Sequence, residues 1–191
     1  MPTIYFVTNN ANKFREVAHI FDREMPIIKL KMINLTKIEI QSPDLIEIVR
    51  YAVENISRRF KEPFFVEDAG LFIDELRGFP GPFSHYVYDT IGINGILKLL
   101  ENIRNRQAHF KSIIGFWDGD KIKIFEGIVK GQISLSPRGN KGFGFDPIFI
   151  PNGTRKTFAE MEIDEKNKYS HRAKATRKLI EYLRKLYPST T

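Results

Sequence analysis

The sequence predicts an α/β protein, and three observations carry that expectation. Thr3 to Val7 (TIYFV) is a continuous apolar run, as expected of a strand buried on both faces. The polar loop behind it, Thr8 to Lys13, opens into a segment where Phe14, Val17, Ala18 and Phe21 recur at helical spacing. The third is the stretch from Pro63 to Ser84, PFFVEDAGLFIDELRGFPGPFS, in which two apolar runs enclose the adjacent carboxylates Glu67 and Asp68. Burying a carboxylate is costly unless something pairs it, and a metal ion is one such partner. A strand and turn with a satisfied Asp is the plainer alternative.

Taken in order, the first unit is strand, polar loop, helix. By spacing alone the loop reads as an N-capping Asn cluster. A helix start there also presents backbone N–H groups that suit an anion, with Lys13 as a point charge at the mouth. The loop lacks GxxxxGK[ST] and is not a P-loop. Lys13, Arg15, Glu16 and His19 fall off the apolar helical face. Residues 26–42 read as a strand and a loop, and alternation sets Glu39 on the side away from Ile38 and Ile40. Leu45, Ile48, Val49, Ala52, Val53, Ile56 and Phe60 form a helical stripe, with Arg50 off it. Asp44 and Glu47 resemble a capping box at its start.

In the central stretch, Glu67 and Asp68 are expected to end a buried strand, with only one of them facing any given site. Gly78-Phe79-Pro80-Gly81-Pro82 marks a tight turn. A helix is expected within Ile91–Ile103. Strands over Ala108–Trp117 and Lys121–Val129 are joined by Asp118-Gly119-Asp120, a hairpin signal. Gly127 and Gly131 suggest bends or bulges in the second arm. The loop from Pro137 to Pro147 holds three glycines, two aromatics and an Asp, which suits a flat ligand and equally suits a structural aromatic turn. Ser170 is placed to cap a last helix bearing Ala173, Leu179, Ile180, Leu183 and Leu186. His171 and Arg172 then occupy its first turn, where the helix dipole disfavours cations unless an acceptor is near.

Bulk composition narrows the class. A chain of 191 residues with 42% hydrophobic content has a sizeable core and is not disordered. Without cysteine it has neither a disulfide framework nor thiol chemistry. No apolar run approaches the roughly 18 residues of a membrane span, and the N-terminus lacks a signal-peptide pattern. A soluble intracellular protein with no membrane partner is expected. The net charge of +7 favours anionic partners. It does not take the form of a basic stripe with interleaved aromatics, so no nucleic-acid partner is expected.

Five segments together resemble the inosine triphosphate pyrophosphatase family. Thr8-Asn9-Asn10-Ala11-Asn12-Lys13 is similar to its TGNxxK loop and Val66-Glu67-Asp68-Ala69-Gly70-Leu71 to its VEDSGL segment. Gly78-Phe79-Pro80-Gly81-Pro82 is similar to GxPGP, and Gly142-Phe143-Gly144-Phe145-Asp146-Pro147 to GFGYDP. Glu165-Lys166-Asn167 with Ser170-His171-Arg172 is similar to EKNxxSHR. All five occur in order between Thr3 and Tyr187. Asn9 stands for a Gly, Ala69 for Ser or Thr, Phe145 for Tyr or Trp, and Arg50 where some relatives have Lys; no metal ligand or basic group is lost.

The resemblance implies a long, twisted, mixed sheet flanked by helices, in two lobes with a central nucleotide cleft, as one domain over 1–191. It implies a cytoplasmic homodimer that uses Mg²⁺ to hydrolyse non-standard purine nucleoside triphosphates (ITP, dITP, XTP) to the monophosphate and pyrophosphate. By correspondence, Asp68 is the catalytic residue, and Glu39 and Asp68 are the metal ligands. Glu67 is a lesser candidate. Thr8, Asn9, Asn10, Ala11, Asn12, Lys13, Arg50, Ala69, Phe143, Gly144, Phe145, Asp146, Lys166, His171 and Arg172 are the substrate-binding set. Within it, the Phe143 ring would stack on the base while His171 and Arg172 donate to a 6-oxo group. A pyrimidine nucleotide pyrophosphatase, a nucleic-acid-binding module and an inactive nucleotide sensor are the rival readings.

Overall fold

The computed structural model describes residues 1–38 and 40–188. Its elements, in chain order, are β1 (Thr3–Val7), α1 (Ala11–Glu24), β2 (Lys29–Ile33), α2 (Leu45–Ser57), β3 (Phe64–Ile73), β4 (Pro80–Gly81), α3 (Ser84–Thr90), α4 (Gly92–Leu99), β5 (Gln107–Trp117), β6 (Ile122–Ile133), β7 (Phe149–Pro151), α5 (Ile163–Tyr169) and α6 (His171–Leu186). The strands form one mixed sheet in the order β2-β1-β3-β5-β6-β7, with β4 paired to β3. β1 runs parallel to β2 and β3, and the remaining pairings are antiparallel.

The local signals act as expected. Asn10 caps α1 and accepts from the amides of Asn12 and Lys13. Ser170 caps α6 by accepting from the Ala173 amide. Asp44 caps α2 through the Ile46 amide. Glu47 does not close the reciprocal half of a capping box: its carboxylate accepts from Ser42 Oγ, which in turn accepts from the Asp44 amide.

Side-chain alternation on the long central strands separates three cores. Ile4, Phe6, Phe65, Ile114 and Phe116 face α1 and α6, with the Phe6 and Phe65 rings stacked at 4.5 Å between centroids. Val7, Phe64, Val66 and Ile113 face α2 on the opposite side. Farther along the same strands, Leu71, Ile73, Phe110 and Val129 pack with α3, α4, β7 and Phe145 as the core of the second lobe. Each fully buried side chain of this size contributes about 1.5–3 kcal/mol. The candidate site lies where the three cores meet.

Two expectations need correction. Glu67 and Asp68 do not end their strand. β3 continues to Ile73, paired without a break to β5 from Phe64↔Trp117 to Ile73↔Ala108, because ion pairs neutralise the carboxylates where they stand. Gly127 and Gly131 are not bulges, since the β5–β6 register is uninterrupted from Gln107↔Gln132 to Trp117↔Ile122. They are sites of close approach. A Cβ on Gly127 would lie 2.0 Å from the His171 carbonyl oxygen, and one on Gly131 would lie 2.2 Å from that of Ile150. Gly127 therefore lets the first turn of α6 rest on the sheet.

Candidate active site

The end of β1 and the start of α1 form one wall. Thr8 Oγ1 accepts from the Asn10 amide, and the Asn10 carboxamide oxygen accepts from the Asn12 and Lys13 amides, so the loop is braced by its own side chains. From the first turn of α1, Lys13 extends to β3. Its ammonium lies 2.9 Å from Glu67 Oε2 and 3.7 Å from Asp68 Oδ1, and it donates to the Glu67 carbonyl at 3.3 Å.

β3 alternation sends the two carboxylates to opposite faces. Glu67 shares a face with Phe65, toward α6, where Arg172 Nε meets Oε1 at 3.1 Å and Ser112 Oγ donates to the same oxygen at 2.6 Å. Arg172 Nη1 also reaches Glu16 Oε2 at 2.6 Å, and Glu16 Oε1 lies 2.6 Å from Lys166 Nζ. Lys166 continues to Asp146 Oδ2 at 2.5 Å. The result is one row of alternating sign: Asp146, Lys166, Glu16, Arg172, Glu67, Lys13, Asp68. The Phe143 ring covers it, 5.0 Å from Lys166 Nζ and 5.3 Å from Arg172 Cζ, distances at which a cation is attracted to the ring face.

This setting drives the protonation equilibria apart. Burial alone would raise the Glu67 carboxyl, but Arg172 and Lys13 overcome it and hold the group well below the ordinary carboxylate range. Burial raises Asp68; Lys13 opposes the shift and the neighbouring Glu67 charge reinforces it. Burial likewise raises Asp146 against the pull of Lys166. His171, stacked on Phe110 at 4.6 Å, is pushed far below its usual value by burial and by Arg172, so its imidazole is neutral. Its Nδ1 is buried without a partner among the described residues, a polar atom left for a ligand.

The sequence-derived residues fall into three groups. Thr8 to Lys13, Asp68 and Ala69 lie on the Lys13 side of Glu67, and His171, Arg172 and Phe143 on the Arg172 side. Lys166, Asp146 and Phe145 lie beneath. Lys166 is spent on two carboxylates, Asp146 accepts from the Phe143 amide and so braces the loop, and Phe145 packs in the core against Tyr88. Gly144 turns that loop with φ of 60°. Arg50 is exposed on α2. Glu39 lies outside the described residues. Three residues of the arrangement went unread. Glu16, placed off the apolar face of α1, is buried because its cations arrive from far along the chain. Ser112, inside an apolar strand, carried only the weak signal of a lone hydroxyl, and Gly127 was read as a bend or bulge.

A profile of the Ham1 family matches residues 4–182, a span that contains all five sequence motifs. This chain belongs to the Ham1 family. It is 52% identical to the dITP/XTP pyrophosphatase of Saccharolobus solfataricus over 180 residues, covering 93% of this chain and 91% of that protein. It is 47% identical to the dITP/XTP pyrophosphatase of Thermococcus kodakarensis, covering 94% and 96%. Among solved structures it resembles a Ham1 protein of Staphylococcus aureus (TM-score 0.83, 27% identity, 96% and 99% covered) and one of Coxiella burnetii (TM-score 0.84, 28% identity, 97% and 100% covered). The mixed α/β sheet described above is thus the fold of the Ham1 proteins.

For a Ham1 protein the question of a metal turns on Asp68. Among the described residues no three His, Cys, Asp or Glu side chains cluster as a metal cage. Mg²⁺ does not need one: it is held by one or two carboxylates and completes its octahedron with phosphate oxygens and water. Asp68 fits that role. A third of its side chain is exposed, and it uses Oδ1 toward the Ala69 amide and Lys13, with no hydrogen bond to Oδ2 from a described residue.

Proposed function

We propose that this Ham1 protein hydrolyses non-standard purine nucleoside triphosphates, among them ITP, dITP and XTP, to the monophosphate and pyrophosphate. The observation that carries the reading is the two-ended site. Asp68 and Lys13 stand on one side of Glu67, and His171, Arg172 and Phe143 on the other, in a chain 52% identical to a dITP/XTP pyrophosphatase.

A triphosphate brings about four negative charges that must be balanced before a nucleophile reaches phosphorus. In this reading Lys13 and the braced loop supply positive charge, with Arg50 at the rim. Asp68, together with Glu39, would hold Mg²⁺, which when bound would neutralise phosphate charge. Asp68 also orients and deprotonates the attacking water, the task of a positioned carboxylate. At the other end Arg172 and a neutral His171 offer donors to a 6-oxo purine. An adenine amino group would face those donors with another donor, and each unmatched buried group costs about 1–3 kcal/mol. Phe143 supplies a π-face that every purine accepts. The reading includes one domain over the whole chain, a cytoplasmic setting, and a homodimer for which exposed Phe79, Phe83 and Tyr86 offer apolar surface. No helix of the described residues is long and apolar enough to cross a membrane.

The test is a panel of nucleoside triphosphates with Mg²⁺, with pyrophosphate and orthophosphate measured separately. ITP and XTP should release a monophosphate and pyrophosphate in equal amounts, GTP should react weakly and ATP hardly at all. A diphosphate with orthophosphate as the first products would refute it. Arg172→Lys keeps a cation between Glu16 and Glu67 but loses the planar fork, so it should lower kcat/KM for ITP more than for ATP.

A further inference from the structure

We propose that Glu67 is a positioning residue that couples reading of the base by Arg172 to the chemistry at Asp68, through Lys13. The inference rests on the functional reading above and adds to it where base selectivity is expressed. Glu67 divides its two oxygens between the two ends of the site. Oε1 takes Arg172 Nε at 3.1 Å and Ser112 Oγ at 2.6 Å, while Oε2 faces the Lys13 ammonium at 2.9 Å. Lys13 is also the group beside Asp68 Oδ1, at 3.7 Å. Among the described residues no other side chain forms an ion pair with both Arg172 and Lys13.

The Glu67 side chain is fully buried, so water cannot screen these contacts or replace a partner that moves. Ser112, itself fully buried on β5, fixes the carboxylate from a third direction. A rigid carboxylate held this way transmits displacement. The guanidinium uses Nε and Nη1 on carboxylates, and Nη2 has no hydrogen bond to a described residue. A 6-oxo group engages that free edge and leaves the row in register. A 6-amino group leaves the donor unmatched and displaces the guanidinium. Glu67 follows Arg172, and Lys13 then leaves its place beside Asp68. Misplacing a catalytic constellation by about 1 Å costs on the order of 10²-fold in rate. A wrong base is therefore penalised in kcat as well as in binding, because the penalty falls on alignment at the reacting phosphate.

The experiment measures kcat and KM, with single-turnover rates, for ITP and ATP in the wild type, Glu67→Gln, Ser112→Ala, Arg172→Lys and the Glu67→Gln/Arg172→Lys double variant. In Glu67→Gln the ratio kcat(ITP)/kcat(ATP) should fall about ten- to a hundredfold, as loss of a charge-assisted contact implies, with KM for ATP unchanged. Ser112→Ala should move the ratio the same way by a smaller factor. The double variant should narrow it no further than the larger single effect, the mark of residues acting in one line. A role in stability alone would lower both kcat values equally and leave the ratio at the wild-type value, which overturns the coupling. Should Glu67→Gln fail to fold, Ser112→Ala decides, and an unchanged ratio there overturns it too. If Arg172→Lys does not narrow the ITP/ATP ratio of kcat/KM, base reading by Arg172 is itself wrong. If Arg172→Lys narrows it and the Glu67 and Ser112 variants do not, only the coupling fails.

Discussion

The two faces of β3 treat neighbouring carboxylates in opposite ways. Glu67 faces α6, is sealed from water, and is held as a permanent anion by Arg172, Lys13 and Ser112. Asp68 faces the other way, has a third of its side chain exposed, and has its proton affinity raised by burial and by the charge of Glu67. The difference teaches how a chain makes one carboxyl a fixture and the next a reagent. Cations packed around the first lock its charge, and that locked charge then biases the second. Two titratable groups pushed apart by their surroundings are what acid–base assignment requires.

The largest effect that bears on this contrast is at Asp68. Asp68→Asn should lower turnover about 10²–10⁴-fold from loss of the base alone, measured as pyrophosphate release from ITP. The same variant should be more stable than wild type at pH 7. A carboxyl raised above its ordinary 3.8 destabilises the fold once pH exceeds that value, and the amide removes the cost. A lower Tm for Asp68→Asn would mean that Asp68 is a structural anion like its neighbour.

Glu67→Gln should do the reverse. Unpairing a buried cation costs about 3–5 kcal/mol, read by denaturant unfolding at pH 7. A carboxyl held below its ordinary 4.5 stabilises the fold above that pH, and the contribution is lost as pH falls toward the folded value. The gap between wild type and variant should therefore shrink as pH drops below about 4.5. A gap that stays constant down to acid pH would detach Glu67 from its cations.

Smaller changes on the α6 side sharpen the contrast without touching a charge. Gly127→Ala places a Cβ 2.0 Å from the His171 carbonyl oxygen, so the first turn of α6 must lift. A cost of about 1–3 kcal/mol is expected, with a fall in kcat/KM for ITP as Arg172 moves off Glu67. Ser170→Ala removes the α6 cap and should cost about 1 kcal/mol, with little change at Asp68. If instead it abolished activity, the cap would belong to the site.

How much of this was legible follows from the reach of each interaction. The apolar run of β1, the stripe of α2, the hairpin at Asp118-Gly119-Asp120 and the caps Asn10, Asp44 and Ser170 are set by neighbours within a few positions, and they stand as read. So does the alternation that divides Glu67 from Asp68. Arg172 at a helix start demanded an acceptor, and Glu16 and Glu67 supply it, whereas His171 stays neutral with its Nδ1 unpartnered among the described residues.

What the sequence by itself determined is therefore the mixture of strands and helices, the caps Asn10, Asp44 and Ser170, the hairpin at Asp118-Gly119-Asp120, and the set of chemical groups on offer. Only the tertiary structure decided which of those groups pair. Glu16 lay off the apolar face of its helix and Lys166 stood in the substrate-binding set, yet they meet across 150 positions and neutralise one another. Gly127 looked like a bend or bulge until α6 lay across it. The physical reason is that a charge or a missing side chain has no local partner to declare its purpose. Its energy is fixed by what the folded chain brings within a few ångströms, and the burial that makes the pairing strong exists only once the three cores have closed around it.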